Sequence, residues 1–330
     1  MIRIYNFLIL FSLCLTSCVV LDNKPKEKEK KEISEKESPL PSWKEGDTKS
    51  RLIQFVESSV DSTKEGFVSE VDRIAVFDND GTLWGEQPYY FQLAYAIDKV
   101  KEMKPNHPEW DEDPVLKAAA EGDIKGILEE GERGLIKVVM TTHAGMAEEE
   151  FASSVKAWAD TAKHPVTGKL YVETIYQPML ELLDYLRLHE YKTYIVSGGG
   201  VAFMRAALKD TYGIPPEQII GSTIKREFVD GKIIRLPELE FIDDKEGKPI
   251  NIKRIIGKIP TIAFGNSDGD LAMLQYTESG SGSRLTGYIH HTDSIREYAY
   301  DRDSHIGKFD KGLDEATSKD WLIVDMEKDW

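Results

Sequence analysis

Two aspartates separated by a single residue are the feature of this sequence with the clearest chemical meaning. Asp78 and Asp80 directly follow the apolar run 74–77 and precede a glycine turn. One carboxylate in such a pair can attack phosphorus to form an aspartyl-phosphate, while the other exchanges a proton with the leaving group and helps to hold Mg²⁺. The sequence Asp-Asn-Asp-Gly also suits an ordinary turn, so the pair alone leaves a structural role open.

A hydroxyl followed by glycines ends a later apolar run, residues 193–196. Ser197 can donate a hydrogen bond to a phosphoryl oxygen, and Gly198 and Gly199 allow backbone N–H groups to approach an anion at a helix N-terminus. A plain strand–helix turn is the alternative. The spaced glycine pattern of dinucleotide-binding folds is missing from this segment.

Two further polar segments follow in the chain. Lys248 stands at the start of a helical pattern, where the helix dipole disfavours a cation, so a bound anion would explain it; an exposed lysine is the alternative. The apolar run 261–264 leads into an oxygen-rich turn that contains Asn266 and Asp270. Such oxygens suit Mg²⁺, or the turn simply caps the next helix.

The elements that must position these residues alternate along the chain. Apolar runs predict strands at residues 74–77, 193–196, 218–222, 261–264, 285–290 and 322–324. Helical patterns occupy residues 179–188, 201–208, 250–256 and 271–275. This alternation predicts an α/β fold with a doubly wound parallel sheet. Ligands bind at the carboxyl ends of such strands, where the polar segments lie.

The predicted domains follow from where this alternation is interrupted. Residues 86–176 are mostly helical in pattern and contain no clear buried strand, so we predict a helical cap inserted between the first two core strands. Residues 50–85 and 177–330 form the predicted core.

The N-terminal segment has the pattern of an exported lipoprotein. Residues 1–17 contain a short apolar stretch and end before Cys18 in a sequence that resembles the lipobox of bacterial lipoproteins. An ordinary signal peptide with an incidental cysteine is the alternative. Residues 18–49 are rich in Lys, Glu, Ser and Pro, which predicts a disordered tether. We therefore expect a lipid-anchored protein on the periplasmic side or the cell surface.

The net charge of the protein limits the kinds of partner that it is expected to bind. The formal net charge of −16 argues against nucleic-acid binding, because phosphate backbones require Lys and Arg for neutralisation. It also disfavours adhesion to anionic membranes, so membrane contact is expected only through the lipid anchor. The oligomeric state is not indicated by the sequence.

Taken in chain order, the four polar segments resemble the four motifs of the haloacid dehalogenase (HAD) superfamily, specifically its phosphatase branch. The resemblance spans roughly residues 70–290. It implies Asp78 as nucleophile, Asp80 as acid and base, and Ser197 and Lys248 as the second and third motifs, with Mg²⁺ held by Asp78, Asp80, Asn266 and Asp270. The position of the cap looks most like the phosphoserine-phosphatase-type subgroup.

The fourth motif departs from this resemblance. It usually begins Gly-Asp, whereas this chain has Gly265-Asn266 and so lacks one negative charge. An amide oxygen can still bind Mg²⁺, and either metal affinity is weakened or Asp268 or Asp270 offsets the lost charge.

Substrate selection is expected from the residues after the first motif and from the cap. Trp84 and Glu86 are candidates for the substrate's leaving group, since an acidic residue at about this distance meets a substrate amine in phosphoserine-type relatives. A solvated loop carboxylate is the alternative for Glu86. His143 is either a lid contact or a loop histidine.

These inferences predict a Mg²⁺-dependent phosphomonoesterase acting on a small phosphorylated metabolite, such as a phosphoserine-like compound or an amino-alcohol phosphate. A phosphotransferase of the same fold is an open alternative. A non-catalytic, surface-exposed binding lipoprotein on a HAD scaffold is another.

Overall fold

A seven-stranded sheet lies at the centre of the fold. The computed structural model describes residues 38–208 and 211–330. Its strands are β1 (Ile74–Phe77), β2 (Lys192–Gly200), β3 (Ile219–Val229), β4 (Lys232–Phe241), β5 (Ile262–Gly265), β6 (Leu285–His290) and β7 (Leu322–Asp325). Their order is β4-β3-β2-β1-β5-β6-β7, and all neighbours are parallel except β3 and β4. The predicted α/β fold with a doubly wound parallel sheet is confirmed.

Helices precede, connect and follow the strands. They are α1 (Asp47–Val60), α2 (Phe91–Met103), α3 (Pro114–Glu121), α4 (Ile124–Leu128), α5 (Glu132–His143), α6 (Glu148–Ala159), α7 (Gln177–Leu188), α8 (Val201–Ala207), α9 (Gly247–Ile255), α10 (Leu271–Glu278), α11 (Lys311–Ser318) and α12 (Met326–Asp329). In the described ranges, none of them has the length and apolar character needed to cross a membrane.

The apolar character of β1 follows from its position in the middle of the sheet. Ala75 and Phe77 belong to one buried cluster, and Ile74 and Val76 belong to another. Successive side chains of a strand point to opposite faces, so both faces of the sheet carry an apolar core. This is why β1 is a continuous apolar run without polar alternation.

The topology brings the strand ends of interest together. In the sheet, β1 lies between β2 and β5, and Phe77 pairs with Ile195 on one side and Phe264 on the other. The backbone N–H of Asp78 continues this ladder by donating to the carbonyl of Phe264 at 2.9 Å. Residues that follow β1, β2 and β5 therefore meet at one edge, which is the switch point of the sheet.

The segment between β1 and β2 contains the helices α2 to α6, in agreement with the helical character predicted for residues 86–176. The helices α2 to α5 have an apolar core of their own, which includes Leu93, Ile97, Leu116, Ile127 and Val138, whereas the large buried side chains of α6 belong to the main core. Residues 38–330 nevertheless form one compact unit, so the limits of the predicted cap stay a prediction.

The fold begins earlier than the sequence predicts. Leu40 and Trp43 are buried in the main core, and the indole of Trp43 donates to the carbonyl of Pro178 at 2.9 Å. The predicted tether of residues 18–49 is therefore too long, because these two apolar side chains anchor a segment that is otherwise polar. The predicted signal segment 1–17, Cys18 and the tether up to residue 37 lie outside the described residues.

The strands β3 and β4 form a hairpin, which the sequence analysis does not predict. Its turn consists of Asp230 and Gly231, both with positive φ, which is a standard hairpin signal. The hairpin reaches the α2–α6 segment, where Arg235 donates to the carbonyl of His143 at 2.5 Å and pairs with Glu148 at 2.9 Å. The second half of this hairpin thus connects the core to the helical segment.

Candidate active site

The loop after β1 turns sharply through Gly81, which adopts a φ of +78°. A Cβ at this position would lie 2.0 Å from Nδ2 of Asn266, so only glycine fits. The carbonyl of Gly81 lies 2.7 Å from Nε2 of His291, which the sequence did not single out for the site. The loop that carries Asp78 and Asp80 is therefore held against the fourth motif.

Lys248 is the cation that faces the first aspartate. Its side chain is 2% exposed, and its ammonium lies 2.6 Å from Oδ1 of Asp78 and 2.5 Å from Oδ1 of Asp270. Burial by itself would lower the pKa of Lys248, but the two carboxylates outweigh burial and raise the pKa, so the ammonium stays charged. The exposed-lysine alternative is wrong for this residue.

Asp80 is oriented by an aromatic side chain. The indole Nε1 of Trp84 donates to Oδ1 of Asp80 at 2.8 Å, and the Trp84 ring is buried against Phe91 with centroids 4.7 Å apart. Burial raises the pKa of Asp80, while the hydrogen bond from Trp84 opposes the rise. The polar atom of Trp84 is thus used to position Asp80, and the substrate contact of Trp84 stays a prediction.

The glycines of the second motif lie beside Asp80. The hydroxyl oxygen of Ser197 accepts a hydrogen bond of 3.1 Å from the N–H of Gly199. A Cβ on Gly199 would lie 3.7 Å from Oδ2 of Asp80, which places this backbone next to the second aspartate. Gly198 is exposed and follows Ser197 directly. The hydroxyl and the glycine backbone thus lie together beside the second aspartate.

A chain of hydrogen bonds from the helical segment reaches this glycine turn. Gln92 of α2 accepts from the N–H of Gly200 at 2.7 Å, and its Nε2 lies 3.1 Å from Nε2 of His143. Burial, followed by the charge of Arg235, lowers the pKa of His143 to about 3. A neutral His143 can accept the hydrogen bond of the Gln92 amide, so His143 positions another side chain rather than lying in an exposed loop.

Asp270 organises the fourth motif from inside the protein. Its Oδ2 accepts from the backbone N–H groups of Asn266 and Ser267 at 3.0 and 3.1 Å, while its Oδ1 is paired with Lys248. Both oxygens therefore have protein partners, so Asp270 positions Lys248 and the turn, and its role as a direct metal ligand stays a prediction.

Asp268 connects the fourth motif to a distant part of the chain. Its Oδ1 accepts from the backbone N–H groups of Asp310 and Gly312 at 3.0 and 2.8 Å. The carboxylate thus ties the fourth motif to the start of α11, and compensation by Asp268 stays a prediction.

Glu86 lies against the fourth motif. Its side chain is 2% exposed, and Oε1 accepts from Nδ2 of Asn266 at 2.6 Å and from the hydroxyl of Tyr300 at 2.8 Å. Thr82 donates to Oδ1 of the same asparagine at 3.2 Å. Burial raises the pKa of Glu86 well above its ordinary value, and the charges of Asp80 and Asp78 add to this effect. The solvated-loop alternative is wrong for Glu86, and the amine contact stays a prediction.

The donor set fits a magnesium ion. Asp78 and Asp80 supply carboxylate oxygens and Asn266 an amide oxygen, which are ligands of the hard type that Mg²⁺ prefers. Within the part of the chain that the structure describes, no three Asp, Glu, His or Cys side chains form a ready-made ligand group. A site built from two aspartates and an amide does not require such a group, and excess buried negative charge favours a cation.

Several residues at this site lack a sequence signal close to the four motifs. Tyr300 and His291 belong to the C-terminal part of the chain, and Gln92 belongs to the first helix after β1. Their polar side chains resemble any others in the sequence, and only their tertiary contacts connect them to the aspartates.

This chain is similar to several solved structures. A functionally unknown protein from Anaerococcus prevotii is 16% identical with a TM-score of 0.58, and the match covers 87% of this chain and 94% of that one. A protein of unknown function from Bordetella pertussis is 14% identical, covers 77% and 98%, and has a TM-score of 0.49. A phosphoserine phosphohydrolase-like protein from Francisella tularensis is 18% identical, covers 75% and 99%, and has a TM-score of 0.39.

The comparison with curated proteins found no match. A family model described as haloacid dehalogenase-like hydrolase matches residues 75–275, which is more than half of the chain and includes the four motifs. The family and the hydrolase class predicted from the sequence are confirmed. This chain belongs to the haloacid dehalogenase-like hydrolases.

Proposed function

We propose that this protein is a Mg²⁺-dependent phosphomonoesterase that acts on a small phosphorylated metabolite through an aspartyl-phosphate on Asp78. The observation that carries the proposal is the buried ammonium of Lys248, which contacts Oδ1 of Asp78 at 2.6 Å. This contact supports the proposal because a neutralising cation lies against the expected nucleophile at the end of a strand. Asp80 and the glycine turn lie beside them.

The first half of the reaction requires in-line attack and a proton donor. A carboxylate oxygen of Asp78 attacks phosphorus, the bond from phosphorus to the alcohol oxygen breaks, and Asp80 gives its proton to the departing oxygen. Lys248 offsets the repulsion between the carboxylate and the phosphoryl oxygens, and Ser197 with the glycine turn can bind those oxygens.

The second half regenerates the enzyme. Asp80, now ionised, takes a proton from water as the water attacks the aspartyl-phosphate, which releases inorganic phosphate and restores the Asp78 carboxylate. Mg²⁺, held by Asp78, Asp80 and Asn266, would supply further neutralisation of phosphoryl charge.

The leaving group distinguishes phosphate hydrolysis from dehalogenation. An alkoxide requires a proton when it leaves, whereas a halide does not. Asp80 is held by Trp84 and its pKa is raised by burial, both of which suit a general acid. These features support a phosphate ester of an alcohol as the substrate.

The proposed class of substrate is inferred from the net charge of the protein. A net charge of −16 disfavours polyanionic substrates, so phosphorylated amino acids and amino alcohols are the first compounds to screen.

The test is hydrolysis of an aryl phosphate by the full-length protein in detergent, with Mg²⁺ and with EDTA. We expect turnover only with Mg²⁺, loss of turnover in Asp78→Asn, and normal turnover in Asp72→Asn, an exposed aspartate just before β1. Release of phenol in excess of phosphate when glycerol is added would identify a phosphotransferase. An active Asp78→Asn variant would contradict the aspartyl-phosphate route.

We also propose that Cys18 carries a lipid that anchors the protein outside the cytoplasmic membrane, because the preceding residues resemble a lipobox. Labelling of cells with a fatty-acid analogue tests this proposal. Cys18→Ser should lose the label and the membrane association, whereas Cys14→Ser should keep both. Label retained in Cys18→Ser would contradict it.

A further inference from the structure

We propose that Glu86 supplies the negative charge of the magnesium site that the fourth motif lacks at position 266, with Asn266 acting as its hydrogen-bond partner. This inference rests on the proposed metal dependence and specifies which residue of this chain completes the site. It assigns to Glu86 a role toward the metal in place of a role toward the substrate.

The contact between the two side chains explains why position 266 is an amide. Asn266 Nδ2 donates to Glu86 Oε1 at 2.6 Å. An aspartate at position 266 would place two carboxylates at that separation, and like charges so close in a buried site are strongly unfavourable. With Mg²⁺ bound, whose charge favours the ionised form of Glu86, the pair Glu86 and Asn266 would therefore keep one negative charge but carry it on the loop after β1 instead of the fourth motif.

The carboxylate of Glu86 is fixed in place by its surroundings. Tyr300 donates to the same Oε1 at 2.8 Å. A Cβ on Gly307 would lie 2.0 Å from Oε1 and one on Gly81 would lie 2.5 Å from it, so two glycines make room for this oxygen. Two hydrogen-bond donors and two glycine backbones therefore fix the position of this carboxylate in the structure.

The local charge balance leaves room for a divalent cation. Asp78, Glu86 and Asp270 are each less than a tenth exposed, and Asp80 lies close enough to Asp78 and Glu86 for its charge to raise the pKa of both. One ammonium, that of Lys248, faces Asp78 and Asp270, whereas Glu86 is bonded to neutral donors. Buried charges are stable when they are paired or bind a metal, and Glu86 lacks an ionic partner among the described residues.

The test measures Mg²⁺ binding, so it does not depend on turnover. The full-length protein is freed of metal with EDTA and titrated with Mg²⁺ by calorimetry, and its melting temperature is followed with and without the ion. Glu86→Gln should raise the Kd for Mg²⁺ about tenfold or more. Glu278→Gln, a surface carboxylate paired with Lys319, should leave the Kd unchanged.

A second pair of variants tests the exchange of positions. Asn266→Asp alone should lower the melting temperature of the metal-free protein and increase the rise produced by Mg²⁺. The double variant Glu86→Gln, Asn266→Asp has the charge at 266 and should return to within about threefold of the wild-type Kd. This rescue also separates loss of the charge from misfolding of Glu86→Gln.

The outcomes separate this inference from the proposed function. If wild type binds Mg²⁺ and Glu86→Gln binds it equally well, Glu86 does not serve the metal and the inference is overturned. If the double variant remains weak while folded, the exchange of charge between the two positions is wrong. If wild type binds no Mg²⁺, the metal dependence itself is wrong.

Discussion

The side-chain oxygen of Gln92 accepts a hydrogen bond of 2.7 Å from the backbone N–H of Gly200. The donor belongs to the end of β2 and the acceptor to α2, so this bond joins the helical segment to the glycine turn of the core. On its other side Gln92 contacts His143, which is buried and neutral. The helical segment therefore holds the backbone that lies beside Asp80.

Replacing Gln92 tests this connection. Gln92→Leu leaves the N–H of Gly200 without its partner, and we expect the unfolding free energy to fall by about 1 kcal/mol. We also expect kcat/KM to fall about tenfold, because a displaced phosphate-binding backbone is costly to catalysis. Inhibition by inorganic phosphate should weaken in proportion. Gln275→Leu, which loses a surface contact to Glu315, should leave the unfolding free energy, kcat/KM and phosphate inhibition unchanged. Unchanged phosphate inhibition in Gln92→Leu would contradict the role of the bond between Gln92 and Gly200.

Trp84→Phe tests the orientation of Asp80. Phenylalanine keeps the packing on Phe91 but removes the N–H donor, and since that donor lowers the pKa of Asp80, its loss raises the pKa. The acid must be protonated for the first step, so the limb on which kcat/KM falls with rising pH should move to higher pH. Trp321→Phe, which loses a bond to Glu278 at the periphery, is the control. An unmoved alkaline limb would argue against Asp80 as the acid.

Lys248→Met tests the buried ion pairs. Methionine is similar in length but leaves the carboxylates of Asp78 and Asp270 without a cation, and breaking a buried pair in this way costs about 3 kcal/mol. Urea unfolding in EDTA should show this loss, together with loss of turnover. Lys258→Met removes an exposed pair with Asp72 and should cost less than about 1 kcal/mol. Equal losses of unfolding free energy in the two variants would show that the buried ion pairs of Lys248 contribute no more to stability than an exposed ion pair.

His143 makes stability depend on pH. Its pKa of about 3 in the folded protein is below the unfolded value of about 6.5, so the unfolded chain binds more protons between these pH values. Its contribution to stability is complete above about pH 6.5 and is lost as the pH falls, by about 1.4 kcal/mol per unit. Urea unfolding at pH 7.5 and 5.5 should show a smaller fall for His143→Gln than for wild type. His305→Gln, at an exposed position, should behave as wild type; equal falls in all three proteins would contradict this assignment.

The sequence by itself determined the sheet and the order of the reactive residues. A strand buried on both faces must be apolar throughout, so β1 and β5 stand out as continuous runs, and β2 stands out by its buried apolar residues 195–196. The parallel arrangement requires the polar residues after these strands to meet. The hairpin of β3 and β4 had a signal in Asp230-Gly231, although it was not predicted. The early start of the fold depended on Leu40 and Trp43, two apolar residues in a polar stretch.

Only the tertiary structure decided what the side chains after Asp80 do. Trp84 and Glu86 stand two residues apart and both read as substrate contacts, yet one donates to Asp80 and the other accepts from Asn266 and Tyr300. The partners of Glu86 are 180 and 214 residues away in the chain. A local pattern reports which residues follow a strand, but the charge and hydrogen bonding of a buried carboxylate are set by whatever distant segments pack around it.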